Sequence, residues 1–236
     1  MSKHIVSAFD QDLQGISSRI AEMGGLAEEQ LGSAIEALQT RDSELAAEVI
    51  RSDKRLDRME AQLEKTAVEV VALRQPMAQD LREVIAALKI ASALERIGDL
   101  AKNVSKRTMI LNQSGPVRVM SSVVRMGKQT RTLMAEALDA YTARDTALSV
   151  SVWKRDVEID EMHNSIFREL ITYMMEDPRT IGYATHLMFA AKNMERIGDH
   201  CTNIAENIYY VVHGRPLAGE RPKGDETTMP VDFEPE

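Results

Sequence analysis

The string Glu-Arg-Ile-Gly-Asp occurs twice in this chain, at residues 95–99 and again at 195–199. Four residues after each copy stands an asparagine, Asn103 and Asn203. Glu, Asp and Asn at i, i+4 and i+8 fall close to one stripe of an α-helix. The chain therefore carries two equivalent oxygen-rich stripes on a duplicated helical scaffold. A solvated helix face tolerates drift and has no physical reason to keep an identical pentapeptide twice.

The duplication extends beyond the motif. Met23-Gly24 matches Met126-Gly127; Ala34, Ala37, Arg41 and Asp42 match Ala137, Ala140, Arg144 and Asp145; Leu45, Asp53 and Asp57 match Leu148, Asp156 and Asp160, all at an offset of 103. The pentapeptides match at an offset of 100, and Pro76 matches Pro178 at 102, so the length difference falls at least partly in a turn. This is a two-fold repeat of supersecondary units rather than a short-period solenoid.

Hydrophobic periodicity predicts six helices. Phe9, Leu13, Ile16, Ile20 and Met23 open a long helix ending near Thr40. Asp42 or Ser43 can cap the next, carrying Leu45, Val49, Leu56, Met59, Leu63 and Val70. Pro76 suits the first turn of a third, running to about Leu111. Ser114-Gly115-Pro116 breaks the pattern. Further helices are expected from Val117 to Thr142 and from Ala147 to Met175. Asp177-Pro178 supplies an N-cap and N1 proline for a sixth, ending near His213-Gly214. Helices of such length, about 45 Å for 30 residues, joined by short loops, bury their apolar stripes as up-down-up bundles. The expected fold class is all-α: one three-helix bundle over residues 5–113, a second over 116–214. An acidic, proline-rich tail over 215–236 reads as disordered.

Composition agrees with helices packed through aliphatic side chains: aromatics make up only 4% of the 236 residues, while methionine is frequent at 14. A net charge of −8 argues against nucleic acid as a partner. The lone Cys201 excludes an intrachain disulfide and fits a reducing compartment. No signal-peptide core and no long apolar run is evident, so a membrane is expected to be reached only through partners.

Four acidic pairs stand at i, i+4: Asp53/Asp57, Glu95/Asp99, Asp156/Asp160 and Glu195/Asp199. Like charges at this spacing destabilise an isolated helix by a few tenths of a kcal/mol, so something should offset them. One candidate is a hard cation, for which oxygen ligands are suited. On this reading each bundle brings a pair from its second helix near a pair from its third, and Asn103 and Asn203 orient the carboxylates or add neutral oxygens. The other candidate is a lattice of Arg and Lys, with Arg55, Arg96, Arg155 and Arg196 nearby. Gly98 and Gly198 cost a helix about 1 kcal/mol each relative to alanine, which points to close approach of a neighbouring helix or of a ligand. His200 and His163 have Leu100 and Glu60 as counterparts and are not ligands required in both halves. The Glu-x-x-His pairs of di-iron oxidases are absent, no glycine-rich phosphate loop is present, and the methionines and Cys201 read as core.

These residues resemble the PhoU family of phosphate-transport regulators. The resemblance rests on Phe9-Asp10…Leu13, Met23 to Glu28, Asp80-Leu81-Arg82, Leu88-Lys89-Ile90, Leu94 to Asp99, and Glu195 to His200 followed by Asn203-Ile204-Ala205-Glu206. It covers about residues 5–214. In the first copy Leu100, Lys102, Ser105 and Lys106 depart from the ending seen in the second. The resemblance implies two pseudo-symmetric three-helix bundles in a cytoplasmic, non-enzymatic homodimer. It implies a negative regulator of phosphate uptake and of the starvation response, linking the phosphate ABC transporter to a sensor histidine kinase. It also implies a divalent metal (Fe, Mn, Mg or Zn) at the Glu-x-x-x-Asp surfaces. A metal-dependent hydrolase or redox protein, and an adaptor without metal, are the competing classes.

Overall fold

The computed structural model describes residues 2–113, 115 and 119–219, with side chains from residue 9 onward. Its described residues form α1 (Ser2–Thr40), α2 (Ser43–Ser52), α3 (Lys54–Arg74), α4 (Gln79–Leu111), α5 (Met120–Ala143), α6 (Thr146–Glu176) and α7 (Ile181–His213), with a 3-10 turn, Pro178–Thr180, before α7. Helices α1 to α4 make the first bundle and α5 to α7 the second. The fold is all-α, a duplicated pair of three-helix bundles, as the periodicity indicates. Most of the expected tail, residues 220–236, lies outside the described residues.

The caps repeat with the sequence. Asp42 accepts from the backbone N–H of Glu44 and Leu45, and Asp145 does the same for Ala147 and Leu148. Each is preceded by an arginine in the left-handed region, Arg41 at φ 60° and Arg144 at φ 52°. Arg41 Nη2 then donates to the carbonyl oxygens of Leu111 and Asn112 at 3.3 and 3.2 Å, tying the end of α1 to the end of α4. Asp177 accepts from Arg179 N–H and begins the turn into α7, and Gly214 at φ 68° ends that helix.

Two boundaries differ from the periodicity. The second predicted helix is divided into α2 and α3 at Asp53, where Ser52 Oγ turns back onto the Val49 carbonyl at 2.9 Å and receives Gln30 Nε2 at 3.1 Å. Its counterpart α6 runs on unbroken. Pro76 is not in the first turn of a helix either. Gln75 caps α3 in the left-handed conformation, and the chain crosses 75–78 before α4 begins at Gln79.

The glycines lock the bundles, pairwise and with pseudo-symmetry. A Cβ on Gly24 would stand 2.5 Å from Leu138 Cδ2, and one on Gly127 would stand 2.9 Å from Ile35 Cγ1. Ile35 and Leu138 are themselves counterparts at the offset of 103. The duplicated Met-Gly thus holds α1 antiparallel to α5 across the repeats. Within each bundle Gly98 receives Leu56 and Gly198 receives Ile159, again counterparts. Close helix packing, rather than a ligand, explains these two glycines. Helices α4 and α7 form the second inter-repeat seam. There Arg107 lies 4.8 Å over the Phe189 ring and 3.3 Å from His186 Nδ1.

Candidate functional site: two acidic stripes

The four acidic pairs lie where α3 meets α4 and where α6 meets α7, so each bundle does bring a second-helix pair toward a third-helix pair. Their burial is not symmetric. In the first repeat Asp53 is buried, at 4% exposure, Glu95 and Asp99 are half-buried, and Asp57 is exposed. In the second, Asp156, Asp160 and Glu195 are all buried, at 0%, 3% and 5%, and only Asp199 is half-buried. Asn103 is half-buried, and Asn203 is exposed with its backbone carbonyl accepting from Asn207 Nδ2 at 2.7 Å.

A lysine occupies the centre of the first stripe. Lys102 Nζ donates to Asp99 Oδ1 at 2.5 Å and also to Asp53 Oδ2. Burial by itself would lower the Lys102 pKa, but hydrogen bonds and attraction to both aspartates outweigh it and hold the ammonium above its ordinary range. Arg96 lies farther away, 3.6 Å from Glu95 and 3.8 Å from Asp99. In the second repeat Thr202 stands at the Lys102 position, and its hydroxyl donates to the Asp199 carbonyl at 2.7 Å. There Lys192 Nζ pairs with Glu195 at 2.9 Å, while Asp156, Asp160 and Asp199 are engaged by other groups. Asp156 Oδ1 presses against Gly198, 2.6 Å from where a Cβ would be.

Among the described residues no three His, Cys, Asp or Glu side chains are gathered to hold a metal ion. In the first repeat the residues do not fit a metal as folded, because an ammonium already takes the oxygens of Asp53 and Asp99. The second repeat has the oxygen chemistry for a hard ion, but its carboxylates are not within reach of a common centre. His163 and Asn164 are buried beside Asp160 in sequence. Burial pushes the His200 pKa down, Asp199 opposes it, and Arg196 and Arg96 add to the fall. Arg96 belongs to α4, so the two repeats share this electrostatic environment.

Sequence reasoning noted Lys102 only as a departure from its counterpart. The available signal was its i, i+3 spacing from Asp99, but the reach to Asp53 crosses 49 positions. Gln30 gave no signal. A groove of about 550 Å³, where α1 and α4 meet α5 and α7, is lined by Asp10, Asp80, Glu83, Tyr141 and Arg144 and contains none of the eight expected carboxylates.

Glu95 is the crowded member of the first stripe. Burial, Asp99 and Glu60 raise its pKa above the ordinary 4.5, Arg96 opposes them, and Asp57 adds to the rise. An acid whose pKa is raised by folding stabilises the fold when protonated, and that contribution is lost as pH climbs from 4.5 through the folded value. Glu95→Gln is therefore expected to be more stable than wild type at pH 7, with the gap closing as pH falls toward 4.5. Urea unfolding at a series of pH values measures it; a gap that widens on acidification contradicts this placement of charges.

The PhoU domain family matches this chain twice, over residues 20–108 and 123–208. The phosphate-specific transport system accessory protein PhoU homolog of Caulobacter vibrioides is 48% identical over 226 residues, covering 95% of this chain and 98% of that protein. The accessory protein PhoU of Escherichia coli is 37% identical, with coverage of 91% and 89%. The crystal structure of PhoU from Pseudomonas aeruginosa superposes with a TM-score of 0.86 at 40% identity, over 88% of this chain and all of that one.

Proposed function

The chain belongs to the PhoU family, and we propose that it is an accessory regulator of phosphate-specific transport. When phosphate is plentiful it restrains uptake and holds the phosphate-starvation response off, linking the phosphate ABC transporter to the sensor histidine kinase. The observation that carries this reading is the match of both repeats, at near-complete coverage, to relatives named as accessory proteins of that transport system.

The structure supports binding rather than turnover. The competing metal-dependent hydrolase or redox reading would use the carboxylates on a bound ion. Exposed apolar side chains are instead found about the α3–α4 turn (Val68, Leu73, Met77, Leu81) and about the α6–α7 turn (Ile171, Met175, Ile181). Such surface suits protein partners, including a second copy of the chain. Among the described residues no helix is long and apolar enough to cross a membrane. A cytoplasmic location, with the membrane reached through the transporter and the kinase, is part of the same proposal. So is a divalent ion on the second repeat's Asp156, Asp160, Glu195 and Asp199, which it would draw together; Thr202 standing in place of Lys102 supports it. The regulatory reading does not depend on it.

Deleting or depleting the protein is expected to switch on a phosphate-starvation reporter in phosphate-rich medium and to raise phosphate uptake, with both restored by the full-length gene. A reporter that stays silent in the deletion strain rejects the proposal.

A further inference from the structure

The two acidic stripes receive different cations: Lys102 bridges the first, and the second has Thr202 at that position, with Lys192 on Glu195 where the first has Ser92. Lys102 brings a positive charge between a carboxylate at the start of α3 and one on α4, and bonds both. Thr202 brings none, and its hydroxyl is spent on its own helix. A buried amide lies at the same helix seam. Gln30 is 3% exposed; its Nε2 donates to Ser52 Oγ at 3.1 Å, and its Oε1 has no hydrogen-bond partner. That oxygen sits against Gly98, 2.9 Å from where a Cβ would be. Gln30 thus packs where α3 meets α4, beside Leu56.

We propose that Lys102 is a tethered cation that closes the first repeat to metal, and that removing it opens a divalent-cation site there. Asp53 and Asp99, which Lys102 now bridges, supply the charged oxygens. Two carboxylates completed by water are a sufficient set for Mg²⁺ or Mn²⁺. An ammonium and a metal ion compete for the same lone pairs, and the ammonium is held at the site by its own backbone. A metal entering the wild-type cluster would have to expel it and leave a part-buried lysine without its partners. The inference concerns ion occupancy alone and stands apart from the regulatory reading.

The test uses the full-length protein: wild type, Lys102→Thr, Lys102→Gln (which keeps the stem's packing) and Lys102→Thr with Asp53→Asn. Each is stripped with chelator and titrated with Mn²⁺, with ion stoichiometry and Tm as readouts. Metal-free Lys102→Thr is expected to melt on the order of 10 °C below wild type, since a buried carboxylate loses its partner. It should take up one more Mn²⁺ per chain than wild type and regain roughly 5 °C at a hundredfold excess over Kd. Adding Asp53→Asn should abolish that uptake and recover much of the metal-free Tm. Should Lys102→Thr fold only when refolded in Mn²⁺, the extra ion is still expected. The proposal is overturned if neither Lys102 variant binds an ion beyond the wild-type count, or if Asp99→Asn removes an ion from the wild-type protein.

Discussion

Expressed separately, residues 1–113 and 116–219 are each expected to lose the cooperative unfolding of the whole chain and to self-associate at micromolar concentration. Helix α4 is buried around much of its girth, from Val84, Ala87 and Ile90 to Ala101, Val104 and Leu111, which is more than a single bundle face. Part of that surface is covered by α7. Along α1, Ile35, 3% exposed, fits against Gly127 of α5 and shares that contact with Met194 of α7. Leu138 fits against Gly24 in return. Salt bridges at the rim, Arg131 to Glu28 at 3.3 Å and Arg144 to Glu83 at 2.8 Å, pair exposed arginines with half-buried glutamates and add little beside that burial. Each buried Leu or Ile uncovered costs roughly 1.5–3 kcal/mol of transfer free energy. A handful of them approaches the whole stability of a domain this size. Light scattering and thermal circular dichroism on the fragments test this, and mixing the two should restore a one-to-one complex. A monomeric fragment melting as cooperatively as the intact protein would show that the repeats are independent.

Replacing Gly98 or Gly198 with valine is expected to destabilise the protein by about 3 kcal/mol or more, despite removing a glycine from a helix interior. At Gly98 the new Cβ would lie 2.5 Å from Leu56 Cδ1 and 2.9 Å from Gln30 Oε1; at Gly198 it would lie 2.6 Å from Asp156 Oδ1. Leu56 and Asp156 are fully buried, with no solvent to retreat into. Glycine's intrinsic penalty of about 1 kcal/mol in a helix is therefore smaller than the packing it permits. Gly25 is the control: it is exposed on α1, and a Cβ there meets nothing within 4 Å. Gly25→Ala should stabilise by roughly 0.5–1 kcal/mol, because only the helix propensity changes. Denaturant midpoints for the three variants decide between a steric and a conformational role, and equal effects at all three sites would refute the steric one.

The sequence alone determined the helices, their order and the duplication, because those follow from local periodicity and from caps that act over a few residues. Asp42 caps as its position indicates, and of the two readings the pentapeptide glycines admitted, close helix contact is the one that holds. It also led to the expectation that Asp53 and Asp57 approach Glu95 and Asp99, and that their charges call for an opposite one. It did not show which charge arrives. Arg96, the nearest candidate in the string, reaches only the fringe of the cluster, whereas Lys102 lies one turn beyond Asp99 and bonds Asp53 across the helix seam. The break of α2 from α3 at Ser52-Asp53 was hidden for the same reason, since its cause includes Gln30 on another helix. Identical stripes by sequence became one cluster bridged across the helix seam by Lys102 and one more deeply buried cluster whose Glu195 pairs with Lys192 of the same helix. Side-chain electrostatics depend on distances between helices, and those distances are set only when the helices pack.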